Sequence, residues 1–382
     1  MSKKYAIFLS ALFCAFLGVF LAANALSPDR EFSQMENRYL QQLPAPSLKT
    51  VLDGSFMSGF ETYVTDQFVG RDGWISVKSR TERLLGKREN NGVYFCQGDA
   101  LITRFDSPDP KRVADNLGYV QRFAEKAPAP VYFSLIPTQA CIWADKLPEG
   151  APNYDQRDVL STVSQQLSGK VTLADRMWAI LSAHKDEPIF YRTDHHWTSL
   201  GAYYGYTSLM WDMSRDGEIV PLENYVKTTV STEFYGTVFS SSGVRWVKPD
   251  EIDIYVPEDG VTVTSHTYDS KGQPVEEPRQ LYDESYLAKK DKYSMFLGGQ
   301  QSLGVVRTGN TDKPKLLLIR DSYSDSLVPF LTPHFSEIHL VDLRYNKQST
   351  TQYIKDNGID LAVVLYSVPN FVSDSNLVWL GR

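Results

Sequence analysis

The sequence of 382 residues is poor in cysteine and histidine, with three and six of them respectively. No Cys-x-x-Cys pair and no Cys/His spacing of the zinc-site kind occurs, so no metal and no other cofactor is predicted. An excess of basic residues is also missing, because 39 basic residues stand against 46 acidic ones. With a net charge of −7 and no basic patch, nucleic acid is not expected as a partner. Internal repeats and low-complexity segments are absent.

Long apolar runs are absent as well, with one exception at the N-terminus. Lys3 and Lys4 precede an uncharged stretch that continues to Leu26. Residues 5–26 are enough for a helix that spans a bilayer, at about 1.5 Å per residue. Ala23-Asn24-Ala25 also resembles a signal-peptidase site, so a retained membrane anchor and a cleaved signal both remain open. In either case the two lysines keep the N-terminus inside, and we expect the rest of the chain to be extracytoplasmic.

The three cysteines are Cys14, Cys96 and Cys141. Cys14 lies within the apolar run and is interpreted as an apolar filler. Cys96 and Cys141 form one disulfide or remain two buried thiols, and the sequence does not decide between these alternatives.

The remainder of the chain predicts an α/β fold. We expect a signal or anchor at residues 1–26, a proline-containing linker at 27–50 and one domain at 51–382, with a β-rich insertion at about 214–312 that folds over the site. Alternating strands and helices favour a parallel sheet with helices on both faces. The predicted strands are residues 130–136, 171–173, 188–191, 315–319, 337–341 and 361–366. The predicted helices are 111–127, 155–167, 177–184 and 198–213, preceded by a helical region at 52–85 that is broken near Gly70.

Two adjacent histidines behind an aspartate stand at the end of one predicted strand. Asp194, His195 and His196 follow the apolar run 188–191, and Thr198 or Ser199 begins the next helix as its N-cap. Open α/β sheets carry their chemistry at such carboxyl ends of strands. The alternative is an ordinary helix start with an aspartate cap.

A serine occupies a similar place later in the chain. Ser322 follows the predicted strand 315–319 and opens a predicted helix, where its N–H can stabilise developing negative charge. A helix cap is the alternative role for Ser322 or for Ser324. Ser322 becomes a candidate nucleophile only together with the Asp-His pair, because a serine hydroxyl needs a base to accept its proton.

Asp194-His195-His196-Trp197 resembles the name-giving motif of the DHHW protein family. That family is similar to the SGNH-hydrolase-like domains of the alginate O-acetylation proteins AlgX and AlgJ, which carry Asp-x-His-Trp and a later serine. Further similar segments are Met35-Glu36-Asn37-Arg38, Asp66-Gln67-Phe68 with Arg71-Asp72, Asn91-Gly92-Val93-Tyr94, Phe234-Tyr235-Gly236-Thr237 and Val341-Asp342-Leu343-Arg344-Tyr345. The resemblance covers about residues 30–370. One departure is Arg320, where a Gly-Asp-Ser block would have glycine, and this leaves the second oxyanion donor unassigned.

The resemblance implies a circularly permuted triad in an SGNH-hydrolase-like, flavodoxin-like fold. Asp194, His196 and Ser322 are its expected members, and the order Asp, His, Ser is no objection because geometry defines a triad. His195 is the competing base, although neighbouring residues point apart and only one can face Ser322.

Tyr323 and Arg344 are secondary candidates for the site. Arg344 either orders the site or binds an anionic sugar group, or it forms a structural salt bridge to Asp342 or Asp321. A metal at Asp194, His195 and His196 is disfavoured, since metal ligands usually share one face at wider spacing.

The extracytoplasmic location and the resemblance imply an O-acetyltransferase that acts on a surface or secreted polysaccharide. A membrane-bound acyltransferase would then be the partner that supplies acetyl groups. A carbohydrate esterase with the same triad is one alternative, and a non-catalytic polysaccharide-binding or assembly protein is another.

Overall fold

The computed structural model describes residues 3–268 and 274–380, which form two compact units. The first unit comprises the residues up to Asn90 together with Gly243–Trp246. The second comprises Asn91–Ser242 and the chain from Val247 onward.

The first unit is mainly helical. Its elements are α1 (Lys3–Leu26), β1 (Phe32–Ser33), β2 (Arg38–Tyr39), α2 (Leu48–Leu52), α3 (Ser55–Asp66), α4 (Arg71–Leu84) and β3 (Glu89–Asn90). Helix α1 has a mean hydropathy of 2.5 and no buried residue, and its length and composition suffice to cross a membrane. Met1 and Ser2 of the predicted anchor lie outside the described residues.

The helical region at 52–85 is interrupted as predicted. Gly70, with a left-handed φ of 67°, precedes the first residue of α4. Part of the predicted linker 27–50 is tied to α3, because Arg38 donates to both oxygens of Asp66 at 2.9 and 2.6 Å. The Asp66 carboxylate also accepts from the backbone N–H of Gln41 at 2.9 Å.

The second unit has the alternating order that the sequence predicts. Its strands are β4 (Val93–Phe95), β5 (Leu101–Thr103), β6 (Val131–Ile136), β7 (Thr172–Leu173), β8 (Thr228–Phe234), β9 (Asp250–Ile254), β10 (Thr262–Tyr268), β11 (Pro274–Arg279), β12 (Leu303–Arg307), β13 (Lys315–Arg320), β14 (Glu337–Val341) and β15 (Leu361–Ser367). Its α-helices are α5 (Pro110–Lys126), α6 (Gln139–Ile142), α7 (Gln156–Leu167), α8 (Met177–Ala183), α9 (Ser199–Asp212), α10 (Thr237–Ser242), α11 (Val328–Leu331), α12 (Thr350–Asn357) and α13 (Val368–Ser373).

Eight strands form the central sheet in the order β11-β10-β12-β14-β13-β15-β6-β7. The five strands from β14 to β7 are parallel, and helices cover both faces, as predicted. Strands β10, β11 and β12 extend this core with antiparallel pairs. These three strands come from the β-rich segment 214–312, so part of that segment enlarges the sheet.

Strand β13 lies inside the parallel core, between β14 and β15. Its residues after Lys315 are all buried, which explains why it reads as a continuous apolar run. The 3₁₀ helix Ser322–Ser326 follows directly, so Ser322 stands at the carboxyl end of a central strand.

The predicted strand 188–191 is wrong. Ile189, Phe190 and Tyr191 are buried, but the segment forms an isolated antiparallel bridge from Phe190 to Trp197 instead of joining the sheet. The chain turns back at once, and Thr198 N donates to Ile189 O at 3.0 Å. The Asp-His pair therefore lies on a tight loop before α9, whose N-cap is Thr198.

Candidate active site

Asp194, His196 and Ser322 form one hydrogen-bonded chain. His196 Nδ1 lies 2.6 Å from Asp194 Oδ1, and His196 Nε2 lies 2.8 Å from Ser322 Oγ. A carboxylate only accepts, so Nδ1 carries the proton that binds Asp194 and Nε2 is left to accept from the serine. Asp194 is 1% exposed and His196 is 5% exposed, so the pair is shielded from solvent.

The second oxygen of Asp194 is held by Thr237. Oδ2 accepts from the Thr237 backbone N–H at 2.7 Å and from the Thr237 hydroxyl at 2.8 Å. The preceding residue must be small, because a Cβ on Gly236 would lie 2.2 Å from Asp194 Cβ. Burial opposes ionisation of Asp194, but the two imidazoles and these donors hold its pKa far below the usual range.

The His195 ring lies beside that of His196, with centroids 3.8 Å apart, but it makes no described hydrogen bond to Ser322 and binds the same threonine as Asp194. Its Nδ1 lies 2.7 Å from Thr237 Oγ1. Because the Thr237 hydroxyl already donates to Asp194, it accepts here, and His195 Nδ1 is the donor. Desolvation and the neighbouring His196 lower the pKa of His195, which favours the neutral ring. Its Nε2 atom has no hydrogen-bond partner among the described residues, and 40% of the side chain is exposed.

Two tyrosines contact the adjacent histidines, one through a ring and one through the backbone. The Tyr293 ring stacks on His196 with centroids 3.8 Å apart and an interplanar angle of 7°. Its hydroxyl donates to Ser322 O at 3.0 Å, which ties the base and the serine to one side chain. The hydroxyl of Tyr323, a secondary candidate, donates to His195 O, so this side chain contacts the Asp-His loop.

Trp197 connects the loop of Asp194 and His196 to the turn that carries Ser322 and to α9. Its indole N–H donates to Tyr323 O at 2.8 Å. On the helix side, a Cβ at Gly201 would meet Ile189 O at 2.1 Å, and one at Gly205 would meet the Trp197 ring at 2.5 Å. The small residues of α9 therefore create the space that the indole fills.

Asp321 organises the turn that carries Ser322. Its Oδ1 accepts from Tyr323 N at 3.1 Å. Its Oδ2 accepts from the backbone N–H and hydroxyl of Ser367 at 2.8 and 2.7 Å, and from the Asn370 amide at 2.7 Å. These bonds join the ends of β13 and β15, so the serine turn is fixed from the neighbouring strand.

Arg320, the departure from the family pattern, is buried beneath this turn. It is 1% exposed and pairs with Asp325 at 2.9 Å. Burial raises the pKa of Asp325 to about 7, although the Arg320 charge opposes this shift. The guanidinium is thus committed to a buried structural pair.

Arg344 forms the salt bridge to Asp342 that was one of its predicted roles. Its guanidinium donates to both Asp342 oxygens, with Nη2 at 2.7 Å from Oδ2. Hydrogen bonding to Asp342 raises the pKa of Arg344 further. The Arg344 side chain is 39% exposed and makes no described contact with the three triad residues.

Cys96 and Cys141 are both free thiols. Burial raises the pKa of each thiol to about 12, so neither is a reactive thiolate at neutral pH.

A cavity of about 400 Å³ adjoins the triad. Its lining includes His195, Thr237, Tyr323, Gln139 and Asn370. Neither this cavity nor a larger one of about 740 Å³ is lined by the three triad residues themselves. Only the smaller one is lined by Thr237, which binds Asp194, and by Tyr323, which follows Ser322. The smaller cavity is therefore the candidate ligand site.

The metal-ligand atoms of Asp194, His195 and His196 lie within 4.8 Å of one another. In the observed arrangement both Asp194 oxygens accept N–H or O–H bonds, and both His196 nitrogens are hydrogen-bonded. Such a hydrogen-bonded chain is suited to proton transfer. A metal ion bound to these atoms would have to break the hydrogen bonds.

Sequence reasoning did not assign roles to Thr237, Tyr293 or Asn370. Thr237 stands in the quoted Phe-Tyr-Gly-Thr segment, and that was its only signal. Tyr293 lies within the β-rich segment 214–312, and Asn370 follows the predicted last strand, where nothing distinguishes either from a core residue.

Comparison with known proteins gives relatives that match this fold and motif. A DHHW family protein from Eubacterium siraeum superimposes with a TM-score of 0.62 at 27% identity, covering 76% of this chain and 95% of that one. Bacillus cereus PatB1, whose structure contains a sulfonyl adduct, has a TM-score of 0.59 at 20% identity, covering 73% and 95%. The SGNH-hydrolase-like fold class is thereby confirmed.

A curated relative is the "Probable alginate O-acetylase AlgJ" of Pseudomonas syringae pv. tomato, 26% identical over 199 residues. The match covers 49% of this chain and 48% of AlgJ, so the chain spans about half the length of that relative. The profile of the DHHW protein family matches residues 36–122 and 111–341, which is most of the sequence. The chain therefore belongs to the DHHW protein family.

Proposed function

We propose that this protein is an extracytoplasmic acyl-transfer enzyme with a Ser-His-Asp triad, and that it O-acetylates a cell-surface or secreted polysaccharide. The observation that carries the proposal is the continuous hydrogen-bond chain from Asp194 through His196 to Ser322. The matching relative AlgJ is named an alginate O-acetylase, which supports acetyl as the acyl group and a polysaccharide as the acceptor.

In the first step Ser322 Oγ attacks the carbonyl carbon of an acetyl donor while His196 Nε2 takes the serine proton. The charged imidazole is stabilised by Asp194, which also fixes its tautomer through Nδ1. Collapse of the tetrahedral intermediate returns the proton from His196 to the leaving group and leaves acetyl-Ser322. In the second step a hydroxyl gives its proton to His196 and attacks the acetyl carbon. The bond from that carbon to Ser322 Oγ then breaks, His196 returns the proton to Oγ, and the acetyl ester of the acceptor is released.

The negative oxygen of the intermediate needs hydrogen-bond donors. The Ser322 N–H stands at the start of a 3₁₀ helix and has no acceptor among the described residues. We assign the second donor to Asn370, whose amide nitrogen has two protons. One of them binds Asp321 at 2.7 Å, and the side chain lines the candidate cavity.

The acceptor of the acetyl group in the second step distinguishes a transferase from an esterase. A sugar hydroxyl makes the protein a transferase, and water makes it an esterase with the same triad. The transferase proposal has two further parts. The second unit lies outside the membrane, and a membrane-bound acyltransferase delivers the acetyl groups. A protein that only binds or assembles polysaccharide would show neither reaction. Ester hydrolysis separates an enzyme from a binder, and transfer to an oligosaccharide separates a transferase from an esterase.

The test is covalent modification with a sulfonyl fluoride or an activated acetyl ester, followed by mapping of the modified peptide. We expect the label on Ser322, and we expect Ser322→Ala and His196→Ala to abolish it. Ser324→Ala is the matched control, because Ser324 is fully buried and should leave labelling unchanged. Labelling on Ser324, or labelling that persists without His196, contradicts the triad.

A further inference from the structure

Exposed apolar side chains are concentrated in the first unit. Among the described residues, the exposed large apolar side chains of the second unit are only Trp178, Trp211, Val226 and Tyr345. All the others belong to α1 or to the part of the first unit that follows it. Soluble surfaces rarely gather such residues unless they contact a partner or a membrane.

Helix α4 carries the clearest apolar stripe. Trp74, Val77, Leu84 and Leu85 are 49%, 55%, 87% and 83% exposed. Their spacing of three, ten and eleven residues from Trp74 places them on one side of the helix, because successive residues turn by about 100°. The stripe therefore faces away from the packed side of α4, where Ser79 is buried.

Helix α3 has a second exposed stripe. Met57, Phe60 and Val64 are 61%, 38% and 46% exposed, and they follow each other at intervals of three and four residues.

The junction between α3 and α4 is in contact with the last turns of α1. The Phe20 ring lies 5.7 Å from the Phe68 ring and 5.8 Å from the Trp74 ring, measured between centroids. The backbone N–H of Val69 donates to Asn24 Oδ1 at 2.7 Å. These contacts make the C-terminal part of α1 an integral part of the unit, which favours a retained anchor over a cleaved signal.

The position of Phe20 sets the depth of the junction. The apolar run 5–26 is roughly 33 Å long at 1.5 Å per residue, close to the thickness of a bilayer core. Phe20 lies six residues before Leu26, which places it about 9 Å below the end of that run. Because Phe68 and Trp74 touch Phe20, they reach the level of the membrane interface when α1 spans the bilayer.

The charge of α4 fits the same location. Helix α4 and the four residues after it, 71–88, contain six basic and two acidic residues, a net charge of +4 within a chain of net charge −7. Lys78, Arg80, Arg83, Lys87 and Arg88 are all exposed. Such a basic amphipathic helix binds the surface of an anionic membrane.

We propose that α1 is retained and that α3 and α4 lie in the lipid interface at the membrane face where α1 ends, with the α4 stripe inserted among anionic lipids. The first unit is then a membrane-seated platform, whereas a lone helix would be a flexible tether. The proposal does not depend on acyl transfer.

The test uses the purified full chain in vesicles of phosphatidylcholine and phosphatidylglycerol. Lipids brominated near the glycerol end quench tryptophans in the interface. We expect them to quench the emission that disappears in Trp74→Phe, and we expect aqueous acrylamide to quench it little. Trp211→Phe is the matched control, since Trp211 is 47% exposed but lies in the second unit, and its emission should resist the brominated lipids.

A second variant covers a failure of Trp74→Phe to fold. Leu84→Glu with Leu85→Glu changes two side chains that are more than four-fifths exposed, keeps Trp74 as the reporter and should remove most of the lipid quenching. Trp74 emission that is quenched by acrylamide and indifferent to brominated lipid overturns the proposal. This outcome is expected if a protein partner covers the stripe in the cell.

Discussion

Gly236 sets the distance between Asp194 and the chain that holds it, so Gly236→Ala is a sharp test of the candidate site. A Cβ at this position would lie 2.2 Å from Asp194 Cβ, 2.3 Å from Oδ2 and 2.6 Å from Cγ. Ordinary contact begins at 3.4 Å, so one side must move by more than 1 Å. Asp194 Oδ1 lies 2.6 Å from His196 Nδ1, and a movement of that size breaks this hydrogen bond.

The size of the effect follows from that displacement. A misplacement of about 1 Å costs on the order of 10²-fold in rate, and loss of the aspartate's function costs about 10⁴-fold. We therefore expect Gly236→Ala to reduce turnover by a factor between about 10² and about 10⁴. Overpacking costs roughly 1–3 kcal/mol of stability, and a typical domain has about 5–15 kcal/mol. The variant should consequently remain folded.

The assay is the initial rate of hydrolysis of an activated acetyl ester, measured with the thermal midpoint of the same sample. Gly217→Ala is the matched control, because a Cβ there meets nothing within 4 Å, and it should leave the rate unchanged. A folded Gly236→Ala variant with the wild-type rate would show that the position of Asp194 is unimportant, and the proposed role of the triad would have to be abandoned.

Two further predictions concern histidines. His196→Ala should reduce turnover by roughly 10³-fold or more, and His195→Ala should reduce it far less, because only His196 contacts Ser322; the reverse ranking in steady-state kinetics would exchange their roles. His334→Gln should weaken the dependence of stability on acid, because burial lowers the pKa of His334 to about 4. The unfolded histidine takes up its proton near pH 6.5 and the folded one does not, so stability is lost as pH falls from 6.5 towards 4, by on the order of 2 kcal/mol at pH 5. Urea titrations of wild type and variant at pH 7 and pH 5 measure the free energy of unfolding. An equal loss of this free energy in both proteins between pH 7 and pH 5 would refute the prediction.

Local sequence patterns were sufficient to predict much of the α/β core. Strand β13 is an apolar run that ends at polar residues. The helices α5, α7, α9 and α12 begin after side-chain N-caps, for example Thr198 before α9. For the same reason Ser322 could be placed at a strand end before its partners were known.

The run 188–191 shows where such reasoning fails. An apolar run reports burial, and burial does not distinguish a strand from a packed loop. Phe190 packs edge-on against Trp143, and Tyr191 packs against Phe234. The partners of these rings lie far away along the chain. Thr237 was missed for a related reason, since its contact with Asp194 joins residues 43 positions apart.

The loop that carries the Asp-His pair is held by polar side chains from three other segments. Gln139 donates to the carbonyl oxygens of Tyr191 and Asp194 at 2.5 and 2.7 Å. Asp250 accepts from the Thr193 N–H and hydroxyl at 2.8 and 2.7 Å. Together with Thr237, these side chains fix the loop before any ligand binds, which is the preorganisation that a proton-transfer chain requires.

This arrangement bears on the choice between an enzyme and a binding protein. A buried ionised carboxylate with a buried imidazole is costly to desolvate, and well-packed apolar residues of similar size are often as stable or more so. Apolar residues in place of Asp194 and His196 would therefore stabilise the fold about as well. A role in polysaccharide binding alone gives no reason for a buried Asp-His pair whose outer nitrogen points at one serine. Acyl transfer through Ser322 requires each of these features, and for this reason we favour it over binding.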